Sequence, residues 1–263
     1  MQPSLKLIED LALQAGAILK AGYNQVHQIH KKGMIDLVTE VDHQSEDVIV
    51  AAIRAAFPAH SIITEESGSL SGDPDQCWYI DPLDGTLNYA HAVPFFSVSL
   101  AYAVHGEVEL AAIYEPMRAE CYTAQKGKDA WLNGEPIHVS EAAELIESLL
   151  VTGFPYDLLG SAMHNIDYFG YFSRRSQGVR RLGSAALDLC YVAAGRLDGY
   201  WELSIKSWDI AAGALIAQEA GAVVSKVDGS PEMLSAPNSI LAANPTLYPQ
   251  LLDVLLKDRS EVK

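Results

Sequence analysis

The sequence predicts an α/β protein, with an α+β amino-terminal half followed by a half in which strands and helices alternate. Three observations carry this. Apolar residues recur at helical spacing over 4–22 and 42–57, short apolar runs separated by turn residues then follow as a meander, and from about residue 148 strand-like and helix-like segments take turns. With 263 residues, 49% of them apolar, the chain can bury roughly 70–75% of its unfolded surface without disulfide or metal staples.

The elements follow in order. Leu5, Ile8, Ala12, Ala15, Ile18 and Leu19 form the apolar stripe of a helix over 4–22. The polar, glycine-containing stretch His30-Lys31-Lys32-Gly33-Met34 reads as a loop before Asp36-Leu37-Val38-Thr39. A second helix runs from Asp42 to Phe57, with Ile49, Ile53 and Ala56 inward and Pro58 stopping it. Strands are predicted over 61–64, 77–80 and 95–104, with 108–114 as an antiparallel partner after His105-Gly106 and 121–124 extending the meander. Residues 127–136 read as a loop. Beyond them come a strand at 149–152, a helix over 161–174, a strand at 179–182 and a helix over 184–194. A strand at 198–202 leads into the helix 208–220, stopped by Gly221, which enters the left-handed region cheaply. Strands at 222–226 and 239–242 and a helix over 246–257 complete the chain. No Pro/Ser-rich linker lies near 145, so the expected organisation is two sub-domains, 1–145 and 146–263, packed as one body.

Eighteen Lys and Arg against 34 Asp and Glu leave a formal net charge of −16. That argues against a nucleic-acid groove, which needs a basic stripe, whereas no basic run here exceeds two residues. An anionic protein handling an anionic substrate needs local positive charge, and a divalent cation is one source. Cys77, Cys121 and Cys190 are odd in number, lack zinc spacing and read as free core thiols of a reducing cytosol. No apolar run approaches the ~18–20 residues of a membrane span and the first residues lack a signal-peptide pattern, so a cytoplasmic protein without membrane association is expected.

The chemistry concentrates in Trp78-Tyr79-Ile80-Asp81-Pro82-Leu83-Asp84-Gly85-Thr86-Leu87-Asn88-Tyr89. An apolar strand is expected to end at Asp81, because Pro82 cannot continue a central strand. Asp84-Gly85-Thr86 then reads as a turn opening a short helix. Two carboxylates three residues apart at a strand end, with a carbonyl between them, suit a hard, oxygen-seeking cation such as Mg²⁺. The amides of Gly85 and Thr86 at a helix start suit a phosphate. A turn in which both acids merely bond backbone is the plainer alternative. Against it stand Glu65-Glu66 after the strand 61–64 and Asp209 at the start of an apolar helix, because all three acid groups lie at element junctions where binding residues collect.

With these residues in view, the chain resembles the inositol monophosphatase family of Mg²⁺-dependent, lithium-sensitive phosphatases, and its bacterial branch in particular. The likeness rests on Glu65-Glu66; on Asp81-Pro82-Leu83-Asp84-Gly85-Thr86-Leu87-Asn88-Tyr89-Ala90-His91; on Trp208-Asp209-Ile210-Ala211-Ala212-Gly213; on Asp36-Leu37-Val38-Thr39 with Asp42; and on Gly183-Ser184-Ala185-Ala186 before Tyr200-Trp201-Glu202. These motifs stand in order over residues 5–257. The resemblance implies a layered αβαβα sandwich of the sugar-phosphatase type, present as a homodimer.

It further implies that Glu65, Asp81, the Leu83 carbonyl, Asp84 and Asp209 are metal ligands. Asp81 would bridge two Mg²⁺ ions, with Glu65 and Leu83 on the first, Asp84 and Asp209 on the second, and a third, weaker ion near Glu65. Thr86 and Asp42, acting with Glu65, would orient and deprotonate the attacking water, and the Gly85 and Thr86 amides would bind the ester phosphate. Ser184, Ala185, Glu202 and Asp209 would contact sugar or cyclitol hydroxyls. The implied reaction is hydrolysis of a small phosphate ester, foremost myo-inositol 1-phosphate, by direct attack of an activated water without a phospho-enzyme. Fructose-1,6-bisphosphatase and 3′-phosphoadenosine 5′-phosphate phosphatase are the enzymatic alternatives, and a protein-binding module of a transcription complex is the non-enzymatic one. The stretch 31–39 is implied to be a lid over the metals. Thr64 stands where many relatives have Gly, and Arg181 is implied to approach substrate or the dimer partner. Trp78, Trp201 and Trp208 are expected to pack in the core.

Overall fold

The computed structural model describes residues 2–25, 29–31, 37–155 and 165–257, with backbone alone at 29–31 and 37–39. Ser4, whose hydroxyl accepts from the Leu7 N–H, caps α1 (Leu5–Gly22), and a hairpin of β1 (Ile29–Lys31) and β2 (Leu37–Thr39) leads into α2 (Glu40–Ala56). Then come β3 (His60–Thr64), β4 (Gly68–Leu70), β5 (Asp73–Asp84), the short α3 (Thr86–Ala90), β6 (Ser97–Val104), β7 (Glu107–Glu115), β8 (Glu120–Gln125), β9 (Ala130–Leu132) and β10 (Glu135–Pro136). These eight strands form one sheet in the order β10-β9-β8-β7-β6-β5-β3-β4. The second half holds β11 (Leu149–Thr152), α4 (Ile166–Ser173), β12 (Gly178–Arg180), α5 (Ala185–Ala193), β13 (Gly199–Glu202), α6 (Ser207–Glu219), β14 (Val223–Ser225), β15 (Ile240–Ala243) and α7 (Tyr248–Leu255). Its sheet runs β12-β11-β13-β15-β14.

Four apolar interfaces stack these elements into the five layers αβαβα. Ile8, Leu11 and Leu19 of α1 and Val41, Ile49 and Ile53 of α2 meet Ile62, Trp78, Ile80 and Leu100 on one face of the large sheet. Its other face, with Ala101, Ala111, Ile113 and Tyr122, meets Leu187 and Cys190 of α5 and Leu215 and Ile216 of α6. The far sides of α5 and α6 pack on Val151, Tyr200, Ile240 and Ala242. The residues next to these in sequence, Leu150, Trp201, Leu241 and Ala243, point the opposite way, as strand alternation requires, and meet α4 and α7. Each large apolar side chain withdrawn from water contributes about 1.5–3 kcal/mol, so the four interfaces are the main source of stability. Lying between two sheets, α6 is buried without interruption from Ile210 to Ala217. Gly213 is required there because a Cβ would stand 2.7 Å from Leu189 of α5.

Three local expectations need correction, the simplest being Ala56, expected inward on α2 but exposed at its last turn. The strand predicted to stop at Asp81 continues to Asp84, because a bulge admits Pro82: Asp81 faces Ser99 and Asp84 faces Ser97, three steps along β5 against two along β6. The extra residue removes the need for a ladder N–H that proline lacks. The stretch 127–136, read as a loop, contains β9 and β10, joined by Asn133-Gly134 with φ of 51° and 83°. An Asn-Gly pair with both φ positive makes the tight turn whose twist matches a hairpin. The helix predicted over 161–174 begins at Ile166, and residues 161–164 lie outside those described. All three cysteines are buried and free. No helix among the described residues is long and apolar enough to cross a membrane.

Glu115, at the end of β7, is fully buried, and its Oε1 has no hydrogen-bond partner among the described residues. Tyr191 donates to Oε2 at 3.4 Å and Arg118 lies 3.9 Å away. Burial, with repulsion from Glu120 behind it, pushes this carboxyl up to about 7, against the pull of Arg118, Tyr191 and Arg196. A folded-state value above the ordinary 4.5 means that the stabilising contribution is fully present below pH 4.5 and is lost as pH rises through 7. Glu115→Gln is therefore expected to flatten the decline of stability over that window and to raise stability at pH 8 by on the order of 2 kcal/mol. Urea unfolding at pH 5 and 8 checks this, and parallel pH profiles for the two proteins would refute it.

Candidate active site

The strand pairings decide where the acids meet. Because β3 and β5 are parallel with Thr64 opposite Ile80, Glu65 and Asp81 follow from adjacent strand ends, and the Glu65 N–H donates to the Ile80 carbonyl at 3.3 Å. In the other sheet β11 and β13 are parallel with Thr152 opposite Trp201, which sets Gly153 against Glu202. A Cβ at Gly153 would collide with the Glu202 carboxylate. Carboxyl ends of parallel strands are where open α/β sheets bind ligands, and here two such ends face one cleft of about 460 Å³. Glu65, Asp81, Leu83, Asp84, Gly85, Thr86, Ser184, Ala185, Glu202 and Asp209, all singled out in the sequence, line it.

Hydrogen bonds hold the acids in place. Asp81 Oδ1 accepts from the Leu83 N–H at 3.0 Å, closing the bulge. Asp84 reaches from the large sheet to the helix layer: its Oδ2 accepts from the Ser184 hydroxyl at 2.5 Å and from the Ala186 N–H at 2.8 Å, at the start of α5. Asp209, in the first turn of α6, accepts from the Lys206 N–H at 3.0 Å. The Thr86 hydroxyl lies 3.2 Å from Asp42 Oδ1 and 3.0 Å from the Leu83 carbonyl, and its single proton serves one acceptor at a time. Asn88 donates to the Phe95 and Leu182 carbonyls, both at 2.8 Å, which ties the first acid-bearing turn to the Gly183-Ser184 turn. Glu202 Oε2 accepts from the Tyr200 hydroxyl at 2.6 Å.

The charge balance is lopsided. Six carboxylates line the cleft against two basic side chains, Arg181 and Lys206. Burial, then repulsion from Glu65, Asp84 and Asp209, holds Asp81 well above the usual carboxylate range. Burial, then Glu65 and Asp84, does the same to Asp209. Asp84 is pushed up to about 6, chiefly by burial, although Ser184 and the amides of Ala186 and Ala185 pull it down. Glu202 is pushed up to about 7 by burial. In this conformation no three of the described His, Cys, Asp and Glu side chains form a ready coordination cluster. The donor chemistry nevertheless fits Mg²⁺: all donors are hard oxygens, and their mutual repulsion is what a divalent cation would relieve.

Several contributors escaped the sequence reading. Trp208, expected in the core with the fully buried Trp78 and Trp201, is half-buried and lines the cleft. Asp188, also on the cleft wall, is buried, and its Oδ1 has no hydrogen-bond partner among the described residues. Ser45 and Glu46 of α2 are, with Asp42, buried polar residues on a face shared with Val41, Ile49 and Ile53, and that conflict is the signal that could have marked them. Arg181 is exposed at the rim. The lid expected over 31–39 depends on residues 32–36, which lie outside those described, as do Tyr156 and Asp157.

A five-layered α/β sandwich with an acid-walled cleft between its two sheets is the architecture of the sugar phosphatases. The profile of the inositol monophosphatase family matches residues 1–263, and the chain belongs to that family. It is 45% identical to the inositol-1-monophosphatase of Synechocystis sp. over 97% of this chain and 89% of that protein. It is 42% identical to Nus factor SuhB of Escherichia coli over 96% of this chain and 95% of the relative. Among solved structures it superposes on the inositol monophosphatase of Anabaena (Nostoc) sp. with a TM-score of 0.85 at 42% identity, covering 95% and 93% of the two chains. The Thermotoga maritima IMPase gives 0.88 at 36% identity over 98% and 99%. The protein is thus a phosphoric monoester hydrolase of a metal-dependent family.

Proposed function

We propose that the protein hydrolyses myo-inositol 1-phosphate to inositol and inorganic phosphate, using two to three Mg²⁺ ions held by Glu65, Asp81, Asp84, Asp209 and the Leu83 carbonyl. The observation that carries this reading is the cleft's excess of six carboxylates over two basic groups, drawn from both sheets. An anionic ester enters such a cleft only with cations to receive it. Bound there, the cations supply charge neutralisation at the phosphoryl oxygens and a water of lowered pKa.

The protein's own groups do the rest. Thr86, its proton directed to Asp42, offers oxygen lone pairs to the attacking water, and Asp42 takes up the proton through that hydroxyl; Glu65 borders the same water. The amides of Gly85 and Thr86 hold the ester phosphate. Glu202, oriented by Tyr200, and Asp209 accept from ring hydroxyls, with Ser184 and Ala185 shaping that end of the cleft. The Ser184 hydroxyl donates to Asp84 and is not poised as a nucleophile, which supports direct attack by water. We place the protein in the cytoplasm as a homodimer of chains with sub-domains 1–145 and 146–263.

The test is phosphate release from myo-inositol 1-phosphate with Mg²⁺, with EDTA, and with Mg²⁺ plus Li⁺, with fructose 1,6-bisphosphate and 3′-phosphoadenosine 5′-phosphate in parallel. Mg²⁺-dependent release that favours the inositol ester is expected, with Li⁺ inhibiting. A preference for either parallel substrate would overturn the assignment within the family. Identity to Nus factor SuhB supports a second, non-enzymatic role as a protein-binding module of a transcription complex. With a net charge of −16, that role would run through a basic protein surface. Immobilised protein that retains no transcription factor at physiological salt would remove this second reading.

A further inference from the structure

One turn of α2 carries Asp42, Ser45 and Glu46, at 0%, 0% and 2% exposure, on a helix whose other buried residues include Val41, Ile49 and Ile53. Residues at i, i+3 and i+4 share a helix face, so all three side chains meet the sheet together. Each reaches a different acid-bearing segment. Asp42 meets the Thr86 hydroxyl. The Ser45 hydroxyl donates to the Pro82 carbonyl at 2.8 Å, between Asp81 and Leu83. Glu46 takes the third segment, with four donors converging on its carboxylate. Oε2 accepts from the Thr64 hydroxyl at 2.5 Å and the Glu66 N–H at 3.1 Å. Oε1 accepts from the Ser67 N–H at 3.1 Å and from the Ser67 hydroxyl.

The residue bracketed by those donors is Glu65. We propose that Glu46 is a positioning residue that presets the turn 64–67, so that Glu65 faces Asp81 with the geometry a divalent cation needs; this rests on the cation reading of the cleft. The physical need is plain. Glu65 repels Asp81 and Asp209, and both shifts bear its mark. A turn held only by its own backbone would swing this carboxylate away from them, and every cation captured would have to bring it back. A buried carboxylate that accepts four hydrogen bonds removes that reorganisation in advance, as supporting groups around metal ligands do. Thr64 adds a donor that glycine at this position would lack.

The test compares wild type with Glu46→Gln and Ser67→Ala. Glutamine keeps the volume but turns an NH₂ toward donors. The Thr64 and Ser67 hydroxyls can rotate to accept from it, whereas the Glu66 and Ser67 N–H groups cannot. Mn²⁺ binding, read from the free-ion electron paramagnetic resonance signal without substrate, is expected to weaken about 10–100-fold in Glu46→Gln. In Ser67→Ala, which loses one hydroxyl donor at the surface and keeps the fold if the first variant fails to, weakening of about 3–10-fold is expected. The Mg²⁺ concentration for half-maximal rate should rise by the same factors, with kcat recovered at saturating Mg²⁺, a rescue that general destabilisation would not produce. Wild-type Mn²⁺ affinity in either folded variant overturns the proposal and leaves the cation reading standing. A wild-type protein that binds no Mn²⁺ overturns both.

Discussion

Asp84→Asn is expected to lower turnover by about three orders of magnitude, about 4 kcal/mol in the barrier, while making the cation-free protein more stable at neutral pH. The two effects share one cause. Asparagine keeps an oxygen to accept from the Ser184 hydroxyl and the Ala186 N–H, so the start of α5 stays tied to the end of β5. What it removes is charge. In EDTA the wild-type carboxyl, pushed up to about 6 from an ordinary 3.8, contributes its full stability below pH 3.8 and loses it as pH rises through 6. Above that, wild type carries a buried charge that the variant lacks, which is a difference of up to about 2 kcal/mol in favour of the variant. Saturating Mg²⁺ should reverse the order, because a ligand that binds only the folded state stabilises the protein that binds it better. Urea unfolding at pH 8 with EDTA and with Mg²⁺, beside kcat, tests both halves. Turnover within tenfold of wild type would remove Asp84 from the site, and lower stability in EDTA would refute the electrostatic account.

This opposition between function and stability also explains what the sequence made legible. Carboxylates withdrawn from water beside one another carry a standing cost, so a chain that places Glu65, half-buried Asp209 and the buried Asp81 and Asp84 at element junctions declares a site. The parallel pairing of β3 with β5 then brings the first two to adjacent strand ends without further design. The helices α1 and α2 were readable from their apolar stripes. For α6 the signal was an unbroken small and aliphatic run, which suits a helix wedged between sheets.

The misses have physical causes as well. Pro82 was read as a stop, although a bulge satisfies the same absence of an N–H while keeping the strand. Asn133-Gly134 is a hairpin signal set within a polar stretch that otherwise has the composition of a loop. Glu46 shares helical spacing with Ile49 and Ile53, a conflict visible in the sequence, but its partners are not, since the turn 64–67 meets it only in the folded chain.

Gly85→Ala is expected to destabilise the protein by about 2–5 kcal/mol and to cost at least about 100-fold in turnover. Gly85 holds φ at +96° to turn the chain from β5 into α3, and an L-residue in the left-handed region costs about 1–2 kcal/mol. The new methyl would also stand 3.1 Å from the Phe95 carbonyl, 3.2 Å from the Gly183 carbonyl and 3.3 Å from the Phe96 Cα. All three are backbone atoms, so relief requires moving a segment and not a side chain, and overpacking of that kind costs about 1–3 kcal/mol more. The segment most exposed to the push begins at Gly183, itself at φ +89° and preceded by Leu182, whose carbonyl accepts from Asn88. Moving it outward draws Ser184 off Asp84, and pushing Gly85 the other way turns Thr86 from Asp42. Either displacement reaches an acid-bearing contact within one residue, so a substitution that adds no charge should act on rate as well as on stability. Unfolding in urea and kcat at saturating Mg²⁺ measure the two losses separately. A stability loss with kcat unchanged would mean that the turn relaxes outward without moving Asp84 or Thr86, and that the glycine serves the fold alone.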